Sequence, residues 1–197
     1  MSKKKTTATF LILAVLPSLL ALVACNPIED KSKSTTFIVV ETLTGTDIAG
    51  KTVASLQSDV LTSDGTMVAD FASATIRASL LDPDPVLNTT GYSDIILDRY
   101  VVSYSRADGR NRQGIDVPYT FEGAMTQVVK VGTTALFSFV IVREVAKAEP
   151  PLIDLAKGFG DGVIYATARV DFYGHDLLDN TVTATGYLAI SFTNYSD

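Results

Sequence analysis

Residues 164–173 read IYATARVDFY, and residues 182–193 read VTATGYLAISFT. In the first run Ile164, Ala166, Ala168, Val170 and Phe172 share one face, while Tyr165, Thr167, Arg169, Asp171 and Tyr173 share the other. In the second, Val182, Ala184, Leu188, Ile190 and Phe192 stand against Thr183, Thr185, Tyr187, Ser191 and Thr193. A period of two belongs to extended backbone, where successive side chains point to opposite faces. The turn-rich residues 174–180 between the runs therefore predict a β-hairpin.

The same period recurs upstream. Ala74, Ile76, Ala78 and Leu80 alternate with Thr75, Arg77 and Ser79, and Tyr100, Val102 and Tyr104 with Arg99 and Ser103. Residues 135–142 are apolar on both faces, as expected of a central strand covered on each side. Further strands are expected near 37–43, 55–61 and 119–131, each bounded by Gly, Asp, Asn or Pro. Helix is expected only as a turn or two over 152–157, introduced by Pro150-Pro151 and stopped by Gly158. Seven to eight antiparallel strands predict an all-β fold, a two-sheet sandwich spanning 37–197.

Composition narrows the function classes. At 47% apolar and 19% charged, the 197-residue chain is too hydrophobic for native disorder. Its formal net charge of −6 argues against nucleic acid, whose phosphates require a basic face. One cysteine excludes a disulfide framework, and one histidine excludes a His-rich metal centre.

The first residues set the address. Lys3, Lys4 and Lys5 precede an apolar run from Phe10 to Ala24, broken only by Pro17 and Ser18. This is the pattern of a secretory signal peptide, too short to span a bilayer comfortably. The run ends in Leu22-Val23-Ala24-Cys25, which resembles the lipobox of bacterial lipoproteins. That resemblance implies cleavage after Ala24 and acylation of the Cys25 thiol. It assigns 1–24 to the signal peptide and 25–36 to a lipidated cysteine and polar tether. Each buried CH₂ contributes about 0.8 kcal/mol, so acyl chains such as palmitate would hold the protein firmly at the membrane. Asn26, rather than an aspartate, follows the cysteine; in lipoproteins this points to the outer membrane. Removing the leader takes three lysines and no acid, leaving 13 basic against 22 acidic residues, a balance of −9. An acidic body of this kind is held off anionic lipid rather than laid upon it.

Tyr100-Val101-Val102-Ser103-Tyr104, followed by Asp108-Gly109, resembles the third strand and turn of fibronectin type III and other immunoglobulin-like modules. The resemblance implies an immunoglobulin-like sandwich. Such modules usually carry a core tryptophan, and this chain has none. Its central stretches are also similar to those of bacterial lipoproteins without assigned function, which implies no activity.

Catalytic signals are sparse. His175 beside Asp176 has the residue types of a base and its orienter, but no Gly-x-Ser-x-Gly elbow accompanies it. Carboxylates are scattered through loops rather than paired. Calcium would suit Asp171, Asp176, Asp179 and Asn180, or Asp82 with Asp84, yet neither set has the spacing of an EF-hand loop. Turn formation accounts for both sets equally well. The Asn88-Thr89-Thr90 sequon means little in a bacterial lipoprotein. No phosphate-binding glycine loop is present, and neither a metal nor another cofactor is expected. The one charge anomaly is Arg106, Arg110 and Arg112 within seven residues. These are the candidate ligand-binding residues, suited to a carboxylate, phosphate or sulfated sugar, or else form a solvated loop with internal ion pairs.

The expectation is a lipid-anchored envelope β-sandwich acting as a non-enzymatic binding or structural module with a protein or glycan partner. An accessory subunit of an envelope export or assembly complex is the alternative. An envelope hydrolase built on His175 or a carboxylate pair is the third reading.

Overall fold

A computed structural model describes residues 34–47, 50–82, 91–160 and 162–194. The signal peptide, Cys25, most of the tether, Asp84 and the sequon lie outside the described residues. Nine strands are formed: β1 (Thr36–Thr46), β2 (Thr52–Val53), β3 (Ser55–Asp59), β4 (Asp70–Leu80), β5 (Ile95–Ser105), β6 (Phe121–Val129), β7 (Thr134–Val142), β8 (Val163–Asp176) and β9 (Thr181–Thr193). Two short helices, α1 (Glu144–Lys147) and α2 (Leu152–Ala156), join β7 to β8. No helix among the described residues is long and apolar enough to cross a membrane.

The strands form a four-stranded sheet ordered β2-β1-β4-β7 and a five-stranded sheet ordered β3-β9-β8-β5-β6. The chain crosses between sheets from β2 to β3, β3 to β4, β4 to β5, β6 to β7 and β7 to β8. With β4 beside β7 on one side and β9-β8-β5 on the other, the two sheets form an all-β sandwich. All eight expected strands are present. The ninth, β2, is a two-residue strand paired only at Gly45 and Thr46, too short to show any period. One pair departs from the antiparallel expectation: β3 runs parallel to β9, from Ser55 beside Ala189 to Asp59 beside Thr193. The chain reaches this position by crossing from the first sheet to the free edge of the second.

The alternation in β8 is realised in full, with Ile164, Ala166, Ala168, Val170 and Phe172 all buried. The strand nevertheless runs on through Gly174 and His175 to Asp176, past the expected start of the turn. Gly174 lies opposite a register shift in β5 between Leu97 and Arg99. A Cβ there would lie 2.3 Å from the Ile96 carbonyl oxygen, so the glycine permits close backbone approach instead of breaking the strand. Gly186 does the same between sheets, since a Cβ would meet Val40 and Leu43 at 3.1 Å.

Aromatic rings fill the centre. Phe172 of β8 stands between Phe137 and Phe139 of β7, with ring centroids at 5.7 and 5.4 Å and planes nearly perpendicular. Tyr100 of β5 meets Phe139 at 4.9 Å, and Tyr104 meets Phe192 at 5.9 Å. Both tyrosines are buried and carry aromatic contacts from β5 into the core.

β7 corrects one expectation. It is not a central strand but the edge of the four-stranded sheet. Its outer-face Leu136 is 72% exposed, whereas Ile141 and Val142 at the other end are fully buried. The apolar run thus reflects burial at one end rather than cover on both faces. A register shift pairs Asp70 with Val142 and Phe71 with Val140, leaving Ile141 outside the ladder. The Tyr104 hydroxyl crosses from the opposite sheet and donates to the Ile141 carbonyl at 2.5 Å. Burial pushes the Tyr104 phenol far above its ordinary pKa, which keeps this donor protonated.

Phe172→Ala should destabilise the fold by about 3–5 kcal/mol. Urea unfolding followed by circular dichroism checks this, and a loss below that of an ordinary surface substitution would contradict the central place given to the ring.

Candidate functional site

The outer face of the five-stranded sheet is organised by register. Ser55, Ala189, Thr167 and Ser105 fall in one row across β3, β9, β8 and β5. The row on one side holds Gln57, Ser191 and Tyr165, and the row on the other holds Tyr187, Arg169 and Ser103. Successive rows lie about 7 Å apart along the strands. Small side chains between taller ones leave a groove of about 420 Å³, lined chiefly by Ser55, Gln57, Ala107, Tyr165, Thr167 and Ser191. Tyr165 is 73% exposed, and Tyr187, one row beyond the groove, is 63% exposed. Neither ring is needed for the core, as the alternation already implied.

Charges on this face are matched locally. Arg169 contacts Asp171 at 3.0 Å, and the Thr185 hydroxyl donates to the same carboxylate at 2.5 Å. Arg99 lies 4.0 Å above the Tyr173 ring and 3.2 Å from Glu122. The hydroxyls along the groove are held loosely: Ser55 Oγ to Ala189 O at 3.4 Å, and Ser191 Oγ to Leu56 O at 3.5 Å. They retain capacity for an outside partner.

The arginine loop is also internally paired. Arg106 and Arg110 both reach Asp108, at 2.6 and 2.9 Å, while Arg112 turns to Asp116 at 2.9 Å. Gly109, at φ 81°, shapes the turn that brings the first two together. The Arg106 guanidinium, helped by Arg110, holds the Asp108 carboxyl well below the usual carboxylate range. Arg112 does the same to Asp116. Arg106 and Arg110 line a second cavity of about 170 Å³ with Asp154, Leu155 and Phe159. Arg112 is not among its lining residues. The same loop borders the sheet groove through Ala107, not through an arginine.

The hairpin carboxylate is occupied by backbone. Asp176 is buried, and its Oδ1 accepts the N–H groups of Leu178 and Asn180, each at 2.9 Å. The Asn180 side-chain amide donates to both carboxylate oxygens, at 3.1 and 2.9 Å. The His175 ring Nδ1 meets only the Asp176 carbonyl, at 3.2 Å, so this acid does not orient it as a base. Asp171 is spent on the outer face, and Asp179 adopts φ 66° in the turn. Of these candidates Asp176 and Asn180 are engaged with each other, and Asp171 with Arg169 and Thr185. Among the described residues, no group of three or more His, Cys, Asp or Glu is placed to hold an ion.

One constellation had little signal in the sequence. Lys147 of α1 is buried, its side chain 3% exposed, and its Nζ donates to Asp70 Oδ1 at 2.9 Å and to the Asp59 carbonyl at 2.7 Å. Ser58 Oγ donates to Asp70 Oδ2 at 2.6 Å. Burial pushes Asp70 above its ordinary value, against the pull of the Lys147 charge. The pair ties α1 to β3 and β4 beside a cavity of about 290 Å³. Its only trace is a lysine within Val145-Ala146-Lys147-Ala148 and an aspartate within Val68-Ala69-Asp70-Phe71.

Lys147→Met should cost about 3–5 kcal/mol, because it leaves Asp70 buried without its cation. Denaturant unfolding checks this, and the double variant Lys147→Met, Asp70→Leu should recover part of the loss. A pH dependence follows from Asp176. Burial opposes its ionisation, but the bonds from Asn180, Ser34 and Leu178 prevail and lower its pKa. A folded value below the unfolded one gives stabilisation that is complete at neutral pH and lost as pH falls through the folded pKa. Asp176→Asn should therefore flatten that part of the acid limb in thermal unfolding across pH.

No known family model matches the chain, and no curated protein sequence matches it, so the reading of the site rests on the geometry above.

Proposed function

We propose that the chain is a lipid-anchored envelope protein that works by binding, through the outer face of its five-stranded sheet, and not by catalysis. The observation that carries this reading is the exposure of Tyr165 and Tyr187 at 73% and 63%, on either side of a row of small side chains. A tyrosine ring pairs an apolar body with a polar tip, and tyrosine is enriched where partners dock. The groove volume falls within the usual range for ligand sites. The Asp176 geometry gives no support to a hydrolase built on His175.

The leader supports the anchor. Three lysines, an apolar run and Leu22-Val23-Ala24-Cys25 place the only thiol where lipid attachment requires it. Asn26 favours the outer membrane. The alternative role, as accessory subunit of an export or assembly complex, draws on β7. This sheet edge contains neither charge nor proline, and its Leu136 is 72% exposed.

Cys25→Ser should abolish labelling by palmitate and move the protein from the detergent phase to the soluble fraction. Unchanged labelling and partitioning would refute the anchor. Protease shaving of intact cells, with mass spectrometry for peptides from residues 100–121, separates the two roles. Release from intact cells supports capture of an external ligand, and release only after the outer membrane is opened supports the assembly role.

A further inference from the structure

We propose that the sheet groove takes a neutral glycan chain, with Tyr165 and Tyr187 as stacking platforms; this rests on the reading of that face as the binding face. The first argument is electrostatic. Each arginine on the face, Arg99 and Arg169, is already matched by Glu122 and Asp171. An anionic ligand finds no unmatched cation there, and the mature balance of −9 repels it at longer range. A phosphate or sulfated sugar is therefore the wrong chemistry for this groove.

The second argument separates sugar from peptide. Extended peptides dock on sheet edges, where free N–H and C=O groups supply main-chain hydrogen bonds. The floor of the groove lies over β9 and β8, whose backbones are engaged in ladders on both sides, and it reaches a sheet edge only at its β3 border. What the face offers instead is side-chain chemistry. Ser55, Thr167 and Ser191 supply hydroxyls that both donate and accept, and Gln57 supplies an amide that does the same. A sugar hydroxyl has this dual character too.

The third argument concerns shape. A sugar ring presents a C–H face and a hydroxyl rim, which matches an aromatic ring standing above polar small residues. Tyr165 and Tyr187 project from neighbouring strands on opposite sides of the Thr167–Ala189 row. They are four positions apart along the strand, about 14 Å. One monosaccharide does not span that distance, and a short run of linked sugars does. The groove lies on the sheet surface, bordered by Ser55 and Gln57 of β3 and by Ala107.

The test uses the full chain in detergent, with cello-, chito-, xylo- and malto-hexaoses as neutral probes and a heparin hexasaccharide as the anionic one. Binding is read by isothermal calorimetry and by shifts of the tyrosine ring resonances. At least one neutral hexaose should bind. Tyr165→Ala and Tyr187→Ala should each weaken it about tenfold, the worth of one stacked ring, while Tyr165→Phe should retain it. Both tyrosines are exposed, so circular dichroism of the variants should match that of the parent. Binding of heparin alone, no neutral binding at millimolar probe, or neutral binding indifferent to both alanine variants would each overturn the assignment. Peptides selected by phage display on the same immobilised chain distinguish the two levels of failure. If peptides bind and Tyr165→Ala abolishes their capture, the face is a binding face but not for glycans. If neither sugars nor peptides bind it, both readings fall.

Discussion

The two sheets are held together where Phe172 inserts between Phe137 and Phe139. This one wedge brings β8 and β7 into contact across the core, although they belong to different sheets. Tyr100 extends the stack toward Phe121, and the edge-to-face geometry throughout is the arrangement that ring quadrupoles favour. Because the inward positions of β8 are given to this core, its outward positions are released to solvent. Tyr165, Thr167 and Arg169 stand where they do because Ile164, Ala166, Ala168 and Val170 face inward. The candidate groove is thus the reverse side of the core.

That connection explains what was legible in the sequence. Strict alternation in β8 and β9 announced both the hairpin and the identity of the outward row. Without register, however, Ser55 and Gln57 could not be placed beside Tyr165, since more than a hundred residues separate them. β7 was misread because an apolar run has the same composition whether it is covered on both faces or buried at only one end. Gly174 was misread because a glycine that breaks a strand and one that admits a neighbouring carbonyl look alike in one dimension. The Lys147–Asp70 pair was invisible for a similar reason: a charged residue among apolar ones is a puzzle until its partner is seen. The arginine loop was seen as a charge cluster, and the open question was where the counter-charges lay. Asp108 and Asp116 lie within or near the same stretch of sequence, but only geometry shows Arg106 and Arg110 sharing one of them.

A common electrostatic pattern runs through these sites. Exposed cations at Arg77, Arg99, Arg110, Arg112 and Arg169 each meet a carboxylate within 3.2 Å. Such surface pairs add little stability individually. Their collective effect is different: they remove local positive potential from a body that is acidic overall. For the binding role proposed above, such a surface favours shape, stacking and hydrogen bonds over charge, and only weak sensitivity to salt.

The parallel pairing of β3 with β9 also has a kinetic side. Ser55 lies beside Ala189, 134 positions later in the chain. For a polypeptide made from its N-terminus, β3 has no ladder partner in its own sheet until β9 has emerged. Loops of that length close slowly, and folds dominated by such distant contacts assemble late. On the envelope reading proposed above, such a delay favours threading through a membrane before folding. β9 is the closing piece of the five-stranded sheet, and β3 stays without its ladder partner there until β9 arrives.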